Sequence, residues 1–221
     1  LVKWEKNEPE TRALWKLNND WAISGMFETY SRMGARFDVN YYESQFYQKG
    51  KDVVLEAYEK GLLKKADNGA IIVPLEKMGL PDKPVIRGDG TSLYFTQDIY
   101  LAMQRFEDYP ALERIVYVVA SEQEMHFKQL FATLKLLGVP QAEKCYHLGY
   151  GLLTLPSGKM SSRAGTVVNA DELMDELLAI ALDEYNKRNP ELGEEEIARR
   201  ANVISLSALK FYLVKQDAKK E

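Results

Sequence analysis

The residues best suited to chemistry lie in Ser157-Gly-Lys-Met-Ser-Ser-Arg-Ala-Gly165. Two cations, Lys159 and Arg163, flank Met160 and two hydroxyls, Ser161 and Ser162, with a glycine near each end. A loop of that make-up can wrap a polyphosphate, its cations countering the charge while backbone N–H groups point inward. The spacing differs from a Walker A loop, which needs Gly-x-x-x-x-Gly-Lys-Ser/Thr, and a solvated surface loop accounts for the same composition. A second constellation is Tyr94-Phe-Thr-Gln-Asp98. Thr96 reads as a helix N-cap and Tyr94 as the end of a strand, which places Asp98 in the first helical turn. The helix dipole is a structural reason for a carboxylate there. The Tyr94 hydroxyl and the Asp98 carboxylate can also converge on one cation, and a guanidinium suits them because its planar fork pairs bidentately with a carboxylate.

A third group is Ser121-Glu-Gln-Glu-Met-His126, at the turn between a strand and a helix. Gln123 and His126, three apart, share a helix face beside an N-terminus, where polar and anionic ligands bind readily. A hydrogen-bonded structural role is the competing account of His126. His147, Gly149, Tyr150 and Gly151 lie on or beside the next strand, where packing is the default. Arg87-Gly88-Asp89 has the letters of an adhesion tripeptide and reads as part of a turn.

The elements that must carry these groups follow from periodicity. Leu14, Leu17, Trp21, Ile23, Met26, Phe27 and Tyr30 recur at helical spacing between Pro9 and about Phe37. Phe37-Asp-Val-Asn-Tyr-Tyr switches to a β-like period. A short amphipathic helix spans about 51–61, and Gly69-Ala-Ile-Ile-Val and Pro84-Val-Ile-Arg read as strands around an Asp89-Gly90 turn. Leu93-Tyr-Phe-Thr reads as a further short strand, with a helix from about Gln97 to Phe106. Arg114-Ile-Val-Tyr-Val-Val-Ala is the pattern of a strand buried on both faces of a parallel sheet. It leads into a Ser121…Glu124 capping box and a helix to about Leu137. A strand at about 144–150 and helices over about 171–189 and 193–214 complete the order, so the fold class is α/β, with an α+β part before the parallel sheet and helices after it.

The 221 residues carry a formal charge of −4, which argues against a histone-like or polybasic nucleic-acid binder, and no DNA partner is expected. Cys145 is the single cysteine, so no internal disulfide framework or cysteine-built zinc site is available, and a reducing compartment is favoured. Two histidines make no multi-histidine metal site. No apolar run is longer than Ile115 to Ala120, which falls far short of a membrane span. A cytoplasmic location is expected.

In order along the chain these segments resemble the catalytic domain of the arginyl-tRNA synthetases, a class I aminoacyl-tRNA synthetase family. Lys159-Met-Ser-Ser-Arg163 is similar to the second class I signature, Asp89 to Asp98 to the stretch in which a Tyr and an Asp hold the substrate guanidinium, and Ile115 to His126 to the following strand and turn. Phe37-Asp, Glu43-Ser and Gly69-Ala-Ile-Ile-Val match the preceding insertion. The resemblance implies that Tyr94 and Asp98 bind arginine's guanidinium and Gln123 its ammonium group. It gives Lys159, Ser161, Ser162 and Arg163 the ATP phosphates, and puts His126, His147, Gly149, Gly151 and Met160 beside the nucleotide. ATP, Mg²⁺ and tRNA-Arg follow as co-substrates and partner. The implied layout is an insertion over 1–80, the second half of a Rossmann-like sheet over 81–170, and a helical segment over 171–221.

The first class I signature, His-Ile-Gly-His or a variant, is not in the chain, and Ser162 stands where the second signature usually has a lysine. The chain is therefore read as a piece of something longer, with little activity of its own expected. The rivals are a stand-alone arginine- or partner-binding module and a different adenylate-forming nucleotidyltransferase.

Overall fold

The computed structural model describes residues 2–152, 154–155, 158–159 and 167–215. They form two compact units, one made of the residues up to Trp15 with Asp38–Tyr150, the other of Lys16–Phe37 with the described residues from Gly151 onward.

The first unit begins with α1 (Val2–Glu5) and the start of α2 (Pro9–Met33). Arg12 lies 3.6 Å over the Trp4 ring, donates through Nε to the Trp4 carbonyl at 2.8 Å and through Nη2 to the Tyr47 hydroxyl at 2.9 Å. Glu5 accepts from Lys51 at 3.1 Å and from the Ser92 backbone N–H at 3.2 Å. These contacts tie the chain's start to α3 (Tyr47–Glu59) and to the approach to the candidate site. An antiparallel sheet follows in the order β1 (Lys64–Lys65), β2 (Ile71–Val73), β3 (Lys83–Ile86), and α4 (Tyr94–Asp108) packs against α3 and β3. β4 (Ile115–Ala120) and β5 (Cys145–Tyr150) pair in parallel, Ile115 opposite Cys145 through Ala120 opposite Tyr150, with α5 (Glu124–Leu136) as the crossover between them. That is the βαβ unit expected from the sequence. One core unites Val54, Val73, Leu75, Val85, Phe95, Ile99, Leu130 and Leu134.

The second unit contains the hairpin of β6 (Thr154–Leu155) and β7 (Gly158–Lys159) and the helix pair α6 (Ala170–Arg188) and α7 (Glu194–Val214). Asn169 caps α6 by accepting from the Asp171 N–H at 2.9 Å. Arg32 bridges Asp171 and Asp175 at 2.7 and 2.5 Å, fastening the end of α2 to α6. Met174, Ala181, Ile197, Ala201 and Leu209 supply the buried surface between α6 and α7.

Three local expectations are corrected. Leu93-Tyr-Phe-Thr is not a strand: the Leu93 N–H reaches the Val85 carbonyl, only Ser92 bridges to Ile86, and the chain enters α4 at Tyr94. Ser121 does not cap α5, because β4 leaves through a 3₁₀ turn over Ser121–Gln123 that already holds Ser121 inside a helical turn, and no cap side-chain bond forms. Phe37 to Tyr42 makes no strand among the described residues. Its aromatic residues serve ring contacts and a Tyr41–Asp108 bond at 2.7 Å instead. The expected helix from Pro9 is present, yet none of its residues is buried: Trp21 and Met26 are exposed despite their helical spacing.

Candidate functional site

The segment joining β3 to α4 explains how Tyr94 and Asp98 are aimed. Arg87-Gly88-Asp89 belongs to a tight turn closed by bonds from the Gly90 N–H to the Arg87 carbonyl and from the Arg87 N–H to the Thr91 carbonyl. Asp89 accepts from the Thr91 N–H and hydroxyl at 2.9 and 2.7 Å, an Asx arrangement that fixes the reversal. At Gly88 an added Cβ would lie 2.2 Å from the Asn68 carbonyl oxygen, so only glycine lets the two turns approach. The chain then starts α4 with Leu93, not Thr96, at the N-cap.

Thr96 has a different task from the one its type suggested. Fully buried, it donates its hydroxyl to the Val85 carbonyl at 2.7 Å and so locks the first turn of α4 onto β3. From the other side Gly50 of α3 lies so close that a Cβ would come within 2.5 Å of the Thr96 carbonyl oxygen. A glycine inside a helix costs about 1 kcal/mol relative to alanine, and here it permits close packing of the helix that carries the site.

Tyr94 and Asp98 are consequently one helical turn apart on one face of α4. Tyr94 is 57% exposed, leaving its ring accessible. Asp98 is half-buried, and His126 of α5 reaches it through Nε2 at 3.0 Å from Oδ2. The His126 ring stacks on Tyr94 with centroids 5.5 Å apart and 17° between planes, and meets Phe95 and Phe127 edge-on. Phe127 in turn stacks on His147 of β5 at 4.6 Å, and His147 Nε2 lies 2.9 Å from the Val119 carbonyl. Tyr94, Asp98, His126 and His147 thus form one chain of contacts. Gly149 sits where a Cβ would be 3.4 Å from the His147 ring and 3.5 Å from the Ser121 backbone. Gln123 closes the 3₁₀ turn beyond β4 and is exposed. Lys159 lies in β7, while Met160, Ser161, Ser162 and Arg163 lie outside the described residues.

Other ionisable groups lie near Asp98. Burial raises the Glu43 carboxyl, and the Asp98 carboxylate adds to the effect. Burial lowers the Lys83 ammonium against the opposing pull of Asp98, and Lys83 lies 5.1 Å over the Phe95 ring. Burial also pushes the Tyr117 hydroxyl up to about 12. Glu43 and Asp98 repel each other, which favours a cation beside them, and Lys83 and Arg105 are cations already acting in this neighbourhood. Only Glu43 had a sequence signal, the Glu43-Ser pair within the insertion. A cavity of about 490 Å³ lined by Phe27, Tyr30, Arg36 and Phe37 lies in the second unit and holds none of these groups. Among the described residues no group of three or more His, Cys, Asp or Glu is placed to hold a metal ion, so the magnesium expected with ATP has no protein ligand set there. No helix among them is long and apolar enough to cross a membrane.

A family model described as tRNA synthetases class I (R), catalytic domain, matches residues 1–220. The chain belongs to that family. The arginyl-tRNA synthetase resemblance read from the ordered motifs is thereby borne out. Proteins named arginine–tRNA ligase from Bacteroides thetaiotaomicron and Treponema denticola are 45% and 46% identical to it over 226 and 224 residues. Each match covers all of this chain and 37% or 38% of the relative, so the chain spans little more than a third of those proteins' length. Solved arginyl-tRNA synthetases from Plasmodium falciparum and Thermus thermophilus superpose with TM-scores of 0.78 and 0.75 at 19% and 22% identity. Both cover 99% of this chain, which corresponds to 36% and 44% of theirs. At that identity the likeness is one of fold, and it agrees with the α/β class expected from the sequence.

Proposed function

We propose that the complete protein containing this chain is an arginine–tRNA ligase, and that the face formed by Tyr94 and Asp98 is its guanidinium pocket. The observation that carries this reading is the half-buried Asp98 carboxylate one turn from an accessible Tyr94, with Glu43 near enough to feel its charge. A guanidinium placed there gains a bidentate carboxylate pair and an aromatic or hydroxyl contact. Gln123, exposed where β4 gives way to α5, is assigned the α-ammonium group.

In this reaction arginine's carboxylate attacks the α-phosphate of ATP, pyrophosphate leaves, and the arginyl group passes to the terminal ribose of tRNA-Arg. The protein contributes position and charge more than acid–base chemistry. Lys159, Ser161, Ser162 and Arg163 are assigned the ATP phosphates by family resemblance, where loss of one charge contact costs about 2–4 kcal/mol of transition-state stabilisation. His147, Gly149, Gly151 and Met160 are assigned to the border of the nucleotide pocket, and His126 is shared with the amino-acid side through its bond to Asp98. Mg²⁺ enters with ATP. The division into an insertion over 1–80, a Rossmann-like half over 81–170 and a helical segment over 171–221 belongs to the same proposal. A non-catalytic module is not favoured, because matches to proteins named as ligases run the whole length of the chain.

The test is Asp98→Ala in the complete protein. Arginine binding measured by calorimetry is expected to be lost while ATP binding persists. Unchanged arginine affinity would remove the basis of the assignment.

A further inference from the structure

The recognition chemistry proposed for Asp98 leaves one of its contacts unexplained. His126 Nε2 lies 3.0 Å from Asp98 Oδ2, and the His126 side chain is only 10% exposed. It arrives from α5, 28 residues further along the chain. An ionised carboxylate offers only acceptors, so the imidazole tautomer that fits has its proton on Nε2. Nδ1 is then left as a buried nitrogen with no hydrogen-bond partner among the described residues. A buried polar atom in that condition is costly, and the ring contacts with Tyr94, Phe95 and Phe127 offer it no acceptor or donor. An aliphatic or aromatic residue would fill the same space without that cost. What the imidazole alone does is donate to Asp98 while stacking on Tyr94.

We propose that His126 is a positioning residue for guanidinium recognition. Its N–H engages one oxygen of Asp98 and fixes the carboxylate plane, and its ring face fixes the plane of Tyr94. Oδ1, the remaining lone pair of Oδ2 and the Tyr94 ring are thereby presented together at a set angle. A planar fork needs that angle, because both of its hydrogen bonds must lie in the carboxylate plane. A point-charge ammonium does not need it. The role therefore bears on specificity as well as affinity: His126 favours a guanidinium over a primary ammonium of similar reach. This inference rests on the reading of Tyr94 and Asp98 given above.

The test compares His126→Leu, His126→Gln and Asp98→Asn in the complete protein, using arginine-dependent pyrophosphate exchange with lysine as the competing amino acid. His126→Leu is expected to raise the KM for arginine on the order of 10- to 100-fold, the loss of one charge-assisted hydrogen bond. The KM for ATP rises far less, since the bond lost is the one to Asp98 on the amino-acid side. Preference for arginine over lysine falls in step. His126→Gln, whose amide can donate to the same oxygen, restores most of the loss. If the leucine variant fails to fold, as judged by its thermal transition, His126→Phe keeps the stacking surface and removes the donor. Equal rises in both KM values, or a glutamine variant as impaired as the leucine variant, would overturn the inference. If Asp98→Asn leaves the arginine KM unchanged, the guanidinium pocket itself is wrong. If Asp98→Asn is severe and His126→Leu silent, only the role given to His126 falls.

Discussion

In the antiparallel sheet Ile71, Val73, Val85 and Ile86 are all buried, whereas in the parallel pair, built from the same β-branched types, Val116 and Val118 are 46% and 62% exposed. Both regions belong to the first unit and share one core. The difference lies in what packs on each face. β3 is covered by α4, and its Val85 carbonyl is held by Thr96. The inward residues of β4, Tyr117 and Val119, pack on the core, with Tyr117 against Phe127 and Phe131. The outward row of Val116, Val118, Tyr146 and Leu148 faces solvent in this chain. Residue type therefore reports the environment a strand is built for, and the partner decides whether that environment is met.

Three substitutions sharpen or break this comparison. The largest effect is expected at Val85→Ala, which removes buried methyl groups from a fully enclosed position. Transfer and cavity terms together predict about 2–3 kcal/mol of lost stability, read from the midpoint of urea unfolding. Gly50→Ala comes next: its Cβ must push the first turn of α4 away, at about 1–3 kcal/mol for an overpacked contact. The same shift should raise the arginine KM of the complete protein, because that turn carries Tyr94 and Asp98. A Gly50 variant with normal stability and normal arginine KM would show that the close approach at Thr96 is not needed. Val118→Ala in the chain as described is expected to cost no more than about 0.5 kcal/mol, as for an exposed position. A loss comparable to that of Val85→Ala would mean the outward face of β4 is covered in solution, and the contrast between the two regions would disappear.

Much of the site's framework was legible in the sequence. The apolar run Ile115–Ala120 followed by a helix and a second strand became the parallel βαβ unit, and the helical spacing around Val54 and Ala57 became the buried face of α3. The Asp89-Gly90 turn appeared where a residue tolerant of positive φ was available, with Gly90 at φ +82°. The junction at Leu93 was not legible because a short apolar run suits a strand or a first helical turn equally. The Ser121 cap was misjudged because a capping box presupposes an extended residue before the helix, and the chain turns through a 3₁₀ segment there. The exposure of α2 could not have been read at all, since spacing reports a shared face and says nothing of whether a neighbour covers it.

The amino-acid sequence by itself determined the family, through several weak motifs in a fixed order, and the types of residue available to meet a cation and a polyphosphate. The tertiary structure alone decided that Tyr94 and Asp98 share one face of a helix entered at Tyr94, that Thr96 is a fastener to β3, and that His126 completes Asp98 from another helix. The physical reason is range. Propensity and periodicity act over one or two turns of chain, while the bonds that assemble the site join residues 11 and 28 positions apart, whose meeting depends on how whole elements pack.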